Sequence, residues 1–332
     1  MEDTQGTPLC FPNLNSSCRR LVLRPYSETV LLYMLLACIS LLTMTLNLFV
    51  IISIGHFRQL QTPTNILLLS LAVSDLLVGL LVMPIESLRY METCWLLGKL
   101  MCALTPLLSY CLVSVSLGNM VLISIDRYVA ICEPLLYSSK VTLTKVKISV
   151  GSCWVCSLLY NGLILMDHLT WPDRFNSCQG ECVVVLSHIL GTVDLFVTFI
   201  GPCTIMVVLY MRVFLAALSQ MRLIHTRRSA AVGTTNNNTV LVKVSEMKAA
   251  RTLGILITVF LICVCPYFYP SLVGSNTSNS LSYFAALSWL LLINSCINPL
   301  IYVSFYPWFR KSVRLILTLE VLKPHCREPR IL

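Results

Sequence analysis

Charged side chains are scarce in this sequence. Asp, Glu, Lys and Arg make up 12% of the 332 residues, about half their usual share in a soluble domain, while 56% of the residues are hydrophobic. This balance excludes an ordinary soluble globular domain, and it is typical of a chain whose surface contacts lipid.

Three further features are missing from the sequence. It has no catalytic motif, so we do not expect an enzyme. It has neither internal repeats nor spans broken by Gly and Pro at mid-membrane, which disfavours the alternative of a transporter or channel. Residues Met1 to Gln5 do not form a basic stretch followed by an apolar run. No cleaved secretory signal is therefore predicted, and the first apolar run is expected to direct membrane insertion.

Long apolar runs are abundant. A helix that crosses the hydrocarbon core needs roughly 20 apolar residues. Seven such runs occur, at residues 29–53, 64–84, 102–123, 148–166, 183–213, 250–272 and 281–304. The sequence therefore predicts an all-α membrane protein with a seven-helix bundle over residues 29–304, preceded by an N-terminal segment, 1–28, and followed by residues 305–332.

The basic residues predict the orientation of the bundle, because Lys and Arg are enriched on the cytoplasmic side of membrane proteins. With the N-terminus outside, the cytoplasmic side holds Arg58, Lys140, Lys145, Lys147, Arg212, Arg222, Arg227, Arg228, Lys243, Lys248, Arg251, Arg310, Lys311 and Arg314. The outer side holds Arg19, Arg20, Arg24, Arg89, Lys99 and Arg174. The net charge of +9 therefore reflects membrane topology, and we expect no nucleic-acid partner.

Glycan acceptor patterns agree with this topology. Asn15 begins one such tripeptide, and Asn276 begins another on a segment predicted to face outside. A third match, at Asn237, falls on the predicted inner side and is expected to stay unused. Asn15 is the predicted glycosylation site.

Six of the 16 cysteines are predicted on the oxidising outer face, where disulfides form. They are Cys10, Cys18, Cys94, Cys102, Cys178 and Cys182. Six cysteines allow fifteen pairings, and sequence alone does not choose among them. Placement favours Cys102, at the outer end of the third run, with Cys182, just before the fifth. Cysteines inside the runs are expected to pack as small apolar groups. Cys326, beyond the last run, is either palmitoylated or an unmodified thiol.

Polar residues occur once or twice per run. They are Asn47, Asp75, the triplet Asp126-Arg127-Tyr128, Trp154, Pro202, Cys263, Pro266, and the segment from Asn298 and Pro299 to Tyr302. In this order they resemble the rhodopsin-like (class A) G-protein-coupled receptors. The stretch from Asn294 to Phe309 also resembles the extended signature of the trace amine-associated receptors, at every specified position.

The resemblance implies a plasma-membrane receptor for small protonated amines that acts through a heterotrimeric G protein, most simply the stimulatory or olfactory type. It also implies an additional disulfide between the N-terminal segment and Cys178. Cys10 and Cys18 are both possible partners, and Cys18 is favoured.

The position that holds the counterion in most amine receptors is Ser109 in this chain. On an ideal helix Ser109 lies about 27 Å above Arg127, near the outer pocket. The Tyr that usually supports that counterion is Leu292. A subset of the family is similar in carrying an acid in the fifth span instead, which assigns the ammonium to Asp194. The alternative is that Asp194 is structural, paired with His188 or a loop residue, in a receptor for a non-amine ligand.

The rest of the predicted pocket is mainly aromatic. Aromatic faces stabilise cations, although buried rings often serve packing alone. The predicted ligand-binding set is Asp194, Ser109, Tyr110, Val113, Thr198, Tyr267, Phe268 and Leu292. Glu86 is either a second acidic contact, suited to a diamine, or the partner of Arg89 three residues later on the same helical face.

The resemblance also assigns an activation switch and an ion site. The switch residues are Asp126, Arg127, Tyr128, Glu246, Phe260, Pro266, Tyr210, Asn298, Pro299 and Tyr302. Asp75, Ser116, Asn294 and Asn298 match a sodium-binding cluster, for which interhelical hydrogen bonding is the alternative. No other cofactor is expected.

Val264 stands where the family carries a Trp, so coupling between pocket and switch is in doubt, and a receptor degraded in signalling is a further alternative. Residues 307–319 combine an apolar set with a basic set, which predicts a short amphipathic eighth helix lying on membrane lipid at the inner leaflet. The apolar set is Trp308, Phe309, Val313, Ile316 and Leu317, and the basic set is Arg310, Lys311 and Arg314.

Overall fold

The computed structural model describes residues 9–14, 16–19, 25–92, 94–230, 251–252, 254–269 and 281–318, with the backbone alone at 90, 220–230 and 281–284. Asn15, Glu246, Asn276 and Cys326 lie outside the described residues. Helices dominate the described part, where the β-pairing consists of two isolated bridges, Leu9 with Arg19 and Ser17 with Gln179.

Seven helical spans follow one another along the chain. The first is Tyr26–His56, the third Gly98–Cys132, the fourth Leu143–Ile164, the sixth Gly254–Tyr269 and the seventh Leu281–Phe305. The second comprises Pro63–Leu77, a π-helical turn Val78–Val82 and Met83–Met91. The fifth comprises His188–Asp194, a π-helical turn Leu195–Ile200 and Gly201–Ala230. This architecture confirms the predicted seven-helix fold.

Length and composition qualify five of the described helices as membrane spans. They are Tyr26–His56, Pro63–Arg89, Gly98–Cys132, His188–Ser219 and Ala285–Phe305. The fourth span has 22 residues, about 33 Å of helix, but a more polar composition. The sixth is apolar and shorter over its described residues. The sixth lies within its predicted apolar run, whereas the fourth begins at Leu143, ahead of the predicted run 148–166.

Hydroxyl caps account for three helix starts that differ from the predicted boundaries. The side chains of Thr62, Thr142 and Ser187 accept hydrogen bonds from backbone N–H groups in the first turns of the second, fourth and fifth spans. The fifth span therefore begins at His188 and not at residue 183. Its predecessors Val183 to Leu186 form a non-helical segment.

Polar contacts join the spans at mid-bundle. Asn47 Nδ2 donates to the Ser295 carbonyl oxygen at 3.0 Å, linking the first and seventh spans. Trp154 Nε1 donates to Ser70 Oγ at 3.1 Å, linking the fourth and second. Such bonds satisfy polar groups that lipid cannot solvate.

The eighth helix is Pro307–Leu317, two residues shorter than predicted. Trp308 and Phe309 are buried against the bundle, whereas Arg310, Lys311 and Arg314 are exposed. Tyr302 packs edge-on against Phe309, which connects the end of the seventh span to this helix.

Candidate functional site

Three disulfides cover one end of the bundle. They join Cys102 to Cys182, Cys18 to Cys178 and Cys10 to Cys94. The first two are the pairings favoured from sequence, and the third leaves both N-terminal cysteines paired. Two groups of side chains at this end have the spacing of metal ligands, but their sulfurs are in disulfides and cannot serve as thiolate ligands. They are Cys102 with His168 and Cys182, and Cys18 with Cys178 and Glu181.

The N-terminal segment lies on the loop between the fourth and fifth spans, which is the second loop on the predicted outer side. Cys18 N donates to the Gln179 carbonyl oxygen at 2.8 Å, and Gln179 N donates to the Ser16 carbonyl oxygen at 2.8 Å. Gly180 has φ of 105°, a conformation that favours glycine, and a Cβ there would crowd Cys10 and Phe11. The N-terminal segment and the loop are therefore packed together as one layer.

A cavity of about 340 Å³ lies within the bundle and reaches the second outer loop at Val184. Its lining includes all eight predicted ligand-binding residues. The volume falls at the lower end of the range for small-molecule sites. Several other lining residues were not predicted, among them Ser114, Asn161, Ser288 and Leu291.

Asp194 is the half-buried acid on the fifth-span side of the cavity. Tyr160, on the fourth span, donates its hydroxyl to Asp194 Oδ1 at 3.2 Å. Thr198 Oγ1 donates to the backbone carbonyl oxygen of Asp194 at 2.6 Å, within the π-helical turn. Within the described part of the chain, no ion pair links Asp194 to His188 or to another basic side chain.

The other walls of the cavity are aromatic, aliphatic and hydroxylic. Phe268 stacks on Phe199 with ring centroids 4.5 Å apart, and Tyr267 meets Phe268 edge-on at 5.2 Å. Asn161 Nδ2 donates to Ser114 Oγ at 3.0 Å on the opposite side. The arrangement combines one available charge with apolar faces, as small-molecule sites commonly do.

Glu86 also lines the cavity, at 5% exposure. Its Oε1 lies 3.5 Å from Arg89 Nη1, so the structure contains the expected local ion pair at a long distance.

Below the cavity, Asn298 Nδ2 donates to Asp75 Oδ2 at 2.8 Å, and Ser116 Oγ lies 3.2 Å from Ser74 Oγ. Three buried oxygens in this cluster have no hydrogen-bond partner among the described residues: Asp75 Oδ1, Asn294 Oδ1 and Asn298 Oδ1. Buried acceptors without donors fit a hard cation, which prefers oxygen ligands.

A void of about 20 Å³ separates the cavity from this cluster. Val264 and Phe260, both buried, line it together with Val113 of the cavity and Ser116 of the cluster. The void lies where Val264 replaces the larger Trp expected from the resemblance.

At the inner end, Asp126 is buried and holds Arg127. Arg127 Nε donates to Asp126 Oδ2 at 2.9 Å, and Nη2 approaches the same oxygen at 2.5 Å. Thr64 Oγ1 donates to Asp126 Oδ2 at 2.9 Å, and Tyr137 donates to Oδ1 at 3.0 Å. Burial raises the pKa of the Tyr137 phenol, on the short helix Pro134–Lys140, so that it stays a donor at neutral pH. Thr64 and Tyr137 were not predicted.

Other switch residues are also buried. Tyr302 is 1% exposed and its hydroxyl has no partner among the described residues. Tyr210 packs against Gly254 of the sixth span so closely that a Cβ there would overlap its ring. Tyr128 packs against Ile131 and Val213. Glu246, the expected partner of Arg127, lies outside the described residues.

Comparison with known proteins decides the family. Residues 46–302 match the model of the 7 transmembrane receptor (rhodopsin family). Trace amine-associated receptor 13c of Danio rerio is 38% identical, over 98% of this chain and 96% of that protein. Trace amine-associated receptor 8a of Rattus norvegicus is 35% identical, over 96% and 94%, and trace amine-associated receptor 6 of Homo sapiens is 36% identical, over 95% and 93%.

The chain belongs to the trace amine-associated receptor family. It is a class A G-protein-coupled receptor, a multi-pass membrane protein and not an enzyme. This trace amine-associated receptor carries Ser109 on the third-span side of its cavity and Asp194 on the fifth-span side. Its described cavity therefore places its available acid on the fifth span.

Proposed function

We propose that this receptor binds a small protonated amine by pairing the ammonium with Asp194. The observation that carries the proposal is an acid on the cavity wall. Its carboxylate accepts a hydrogen bond from the Tyr160 hydroxyl but has no cationic partner among the described residues. An alkylammonium that enters a low-dielectric cavity loses hydration, and a nearby carboxylate offsets that loss through a charge-assisted hydrogen bond. The Ser109 hydroxyl supplies no countercharge.

The receptor would lie in the plasma membrane with its N-terminus outside, and it would act through a heterotrimeric G protein of the stimulatory or olfactory type. Three disulfides at the cavity end support this orientation, because disulfides persist in oxidising surroundings. An olfactory role follows from the resemblance alone.

A cyclic AMP screen of alkyl and aryl amines on the intact receptor tests the proposal. Replacing Asp194 by Asn keeps the size of the side chain and removes its charge. Truncating one partner of a buried charge pair costs ~2–5 kcal/mol, so agonist potency should fall about 30-fold or more. Asp167→Asn is the matched control, because Asp167 pairs with Arg174 on the exposed outer surface.

One other function has structural support. The Tyr160 hydrogen bond is also what a structural Asp194 would make, in a receptor for a non-amine ligand. Full agonist potency in Asp194→Asn at normal surface expression would favour that reading.

We also propose sodium at the Asp75 cluster, where the three oxygens without donors support a cation. Sodium ions should raise the thermal stability of the purified receptor relative to an equal concentration of a large organic cation, because a bound ion stabilises the folded state. Asp75→Asn should remove most of this difference. A sodium effect that persists in Asp75→Asn would locate the ion elsewhere.

A further inference from the structure

The second carboxylate on the cavity, that of Glu86, is only partly satisfied. Its side chain is 7% exposed, and its contact with Arg89 at 3.5 Å uses Oε1 alone. The other oxygen, Oε2, is buried and has no hydrogen-bond partner among the described residues. Leaving a buried carboxylate oxygen without a donor is unfavourable, so a donor supplied from the cavity would be stabilising.

The second span brings Glu86 to the cavity through a local irregularity. The π-helical turn Val78–Val82 precedes Met83–Met91 and adds a residue to one turn, which rotates the outer segment relative to the inner one. Ser40 Oγ donates to the Gly79 carbonyl oxygen at 2.5 Å and fixes this turn from the first span. Glu86 is thus positioned by the fold.

The charge of the cavity limits what Glu86 can accept. Of the described residues that line it, three are formally charged: Asp194, Glu86 and Arg89. Arg89 balances Glu86, so one negative charge remains, and one ammonium neutralises it. A second ammonium would leave an excess positive charge in a low-dielectric space, which is costly.

A neutral donor has no such cost. A hydroxyl can donate to Glu86 Oε2 without changing the charge of the site, and hydrogen bonds to charged acceptors are stronger than neutral ones. The apolar lining at Val113, Leu291 and Leu292 suits a hydrocarbon linker between the two ends.

We propose that Glu86 forms a second ligand subsite, and that the preferred ligands are monoamines that carry a neutral hydrogen-bond donor, such as a hydroxyl, at the end away from the ammonium. This inference rests on the proposed role of Asp194 and specifies the ligand class of the same cavity.

The test measures dissociation constants on the full-length receptor in lipid nanodiscs. The probes are the linear amines from butylamine to octylamine, the corresponding terminal amino alcohols and the corresponding terminal diamines. The best amino alcohol should bind about tenfold more tightly than the alkylamine of equal length, the factor for one charge-assisted hydrogen bond, and no diamine should exceed it.

Two variants assign the effect to Glu86. Glu86→Leu should abolish the advantage of the amino alcohols, but it also leaves the positive charge of Arg89 in the cavity and should weaken the binding of all the amines. Glu86→Leu with Arg89→Leu removes both charges together, so it should show the same loss of advantage and leave alkylamine binding within about threefold, since the net charge of the cavity and the Asp194 contact are unchanged.

Other outcomes overturn the inference. Equal binding of amino alcohols and alkylamines by the unmodified receptor would remove the subsite. A Glu86-dependent preference for diamines would make it a second cation site. Asp194→Asn separates the two proposals: if it leaves alkylamine binding intact, the amine anchor itself is wrong, whatever the terminal hydroxyl does.

Discussion

At the scale of single residues, the ligand chemistry depends on how the Asp194 carboxylate is oriented. Tyr160 donates to one oxygen, Oδ1, and Thr198 binds the backbone carbonyl oxygen of the same residue. The Tyr160 contact restricts the carboxylate without neutralising it. In the proposed function, Tyr160 is therefore a positioning residue that orients the Asp194 carboxylate without supplying a charge.

Tyr160→Phe should weaken amine binding by about 2- to 12-fold, because it removes one hydrogen bond worth ~0.5–1.5 kcal/mol and retains the ring. Isothermal titration of the purified receptor with an alkylamine agonist would measure this. Tyr269→Phe is the control, since Tyr269 is 57% exposed on the sixth span. A loss as large as that of Asp194→Asn would show that Tyr160 contacts the ligand itself.

The family resemblance and the residue types predicted the lining of the cavity better than the contacts around it. The eight predicted ligand-binding residues line one cavity, but Tyr160, Ser114 and Asn161 were missed. The fourth span gives little sequence signal for which of its polar side chains face inward. To predict the contact of Tyr160 with Asp194, one must know how the fourth and fifth spans are rotated about their axes.

At the scale of the helices, the sixth span differs from the family pattern at Val264. The void beside it, about 20 Å³, is close to the size of one water molecule and far smaller than an indole ring. Neighbouring side chains have therefore closed most of the space that a Trp would occupy. Phe260, 2% exposed and one turn deeper, remains packed below the void.

Val264→Leu should raise the thermal stability of the receptor, because filling small cavities commonly contributes about 0.5–2 kcal/mol. Val264→Trp should lower it by ~1–3 kcal/mol, since the ring overfills the void. Thermal unfolding of the purified variants would measure both. A stabilising Val264→Trp would mean that the space beside the sixth span is larger than the structure shows.

Helix boundaries and π-helical turns are features that the pattern of apolar residues does not predict accurately. Capping by Thr62, Thr142 and Ser187 explains the observed starts, yet apolar runs place them only approximately. The turns at Val78–Val82 and Leu195–Ile200 have no pattern of their own in the sequence, although they follow the two key acids, Asp75 and Asp194.

At the scale of the whole molecule, disulfides join the N-terminal segment to two outer loops. Cys10 bonds to Cys94 before the third span, and Cys18 bonds to Cys178 in the second outer loop. The family resemblance favoured the second pairing but assigned no partner to Cys94, and because six cysteines allow fifteen pairings, the first required three-dimensional proximity.

Replacing both Cys10 and Cys94 by Ser should lower the free energy of unfolding by about 2–4 kcal/mol, because the bond constrains a long segment of the unfolded chain. Cys38→Ser, which removes an exposed free thiol, should have little effect. Thermal unfolding under non-reducing conditions would compare them. Equal melting temperatures would show that this bond is dispensable for stability.

The proposed function requires that the ammonium of the ligand contact Asp194 of the fifth span. The most direct measurement is a structure of the receptor with a bound agonist amine. We predict the amine nitrogen within about 2.7–2.9 Å of an Asp194 carboxylate oxygen, the distance of a charge-assisted hydrogen bond. An amine nitrogen bound elsewhere, with the Asp194 carboxylate contacted only by Tyr160, would contradict the proposed role of Asp194.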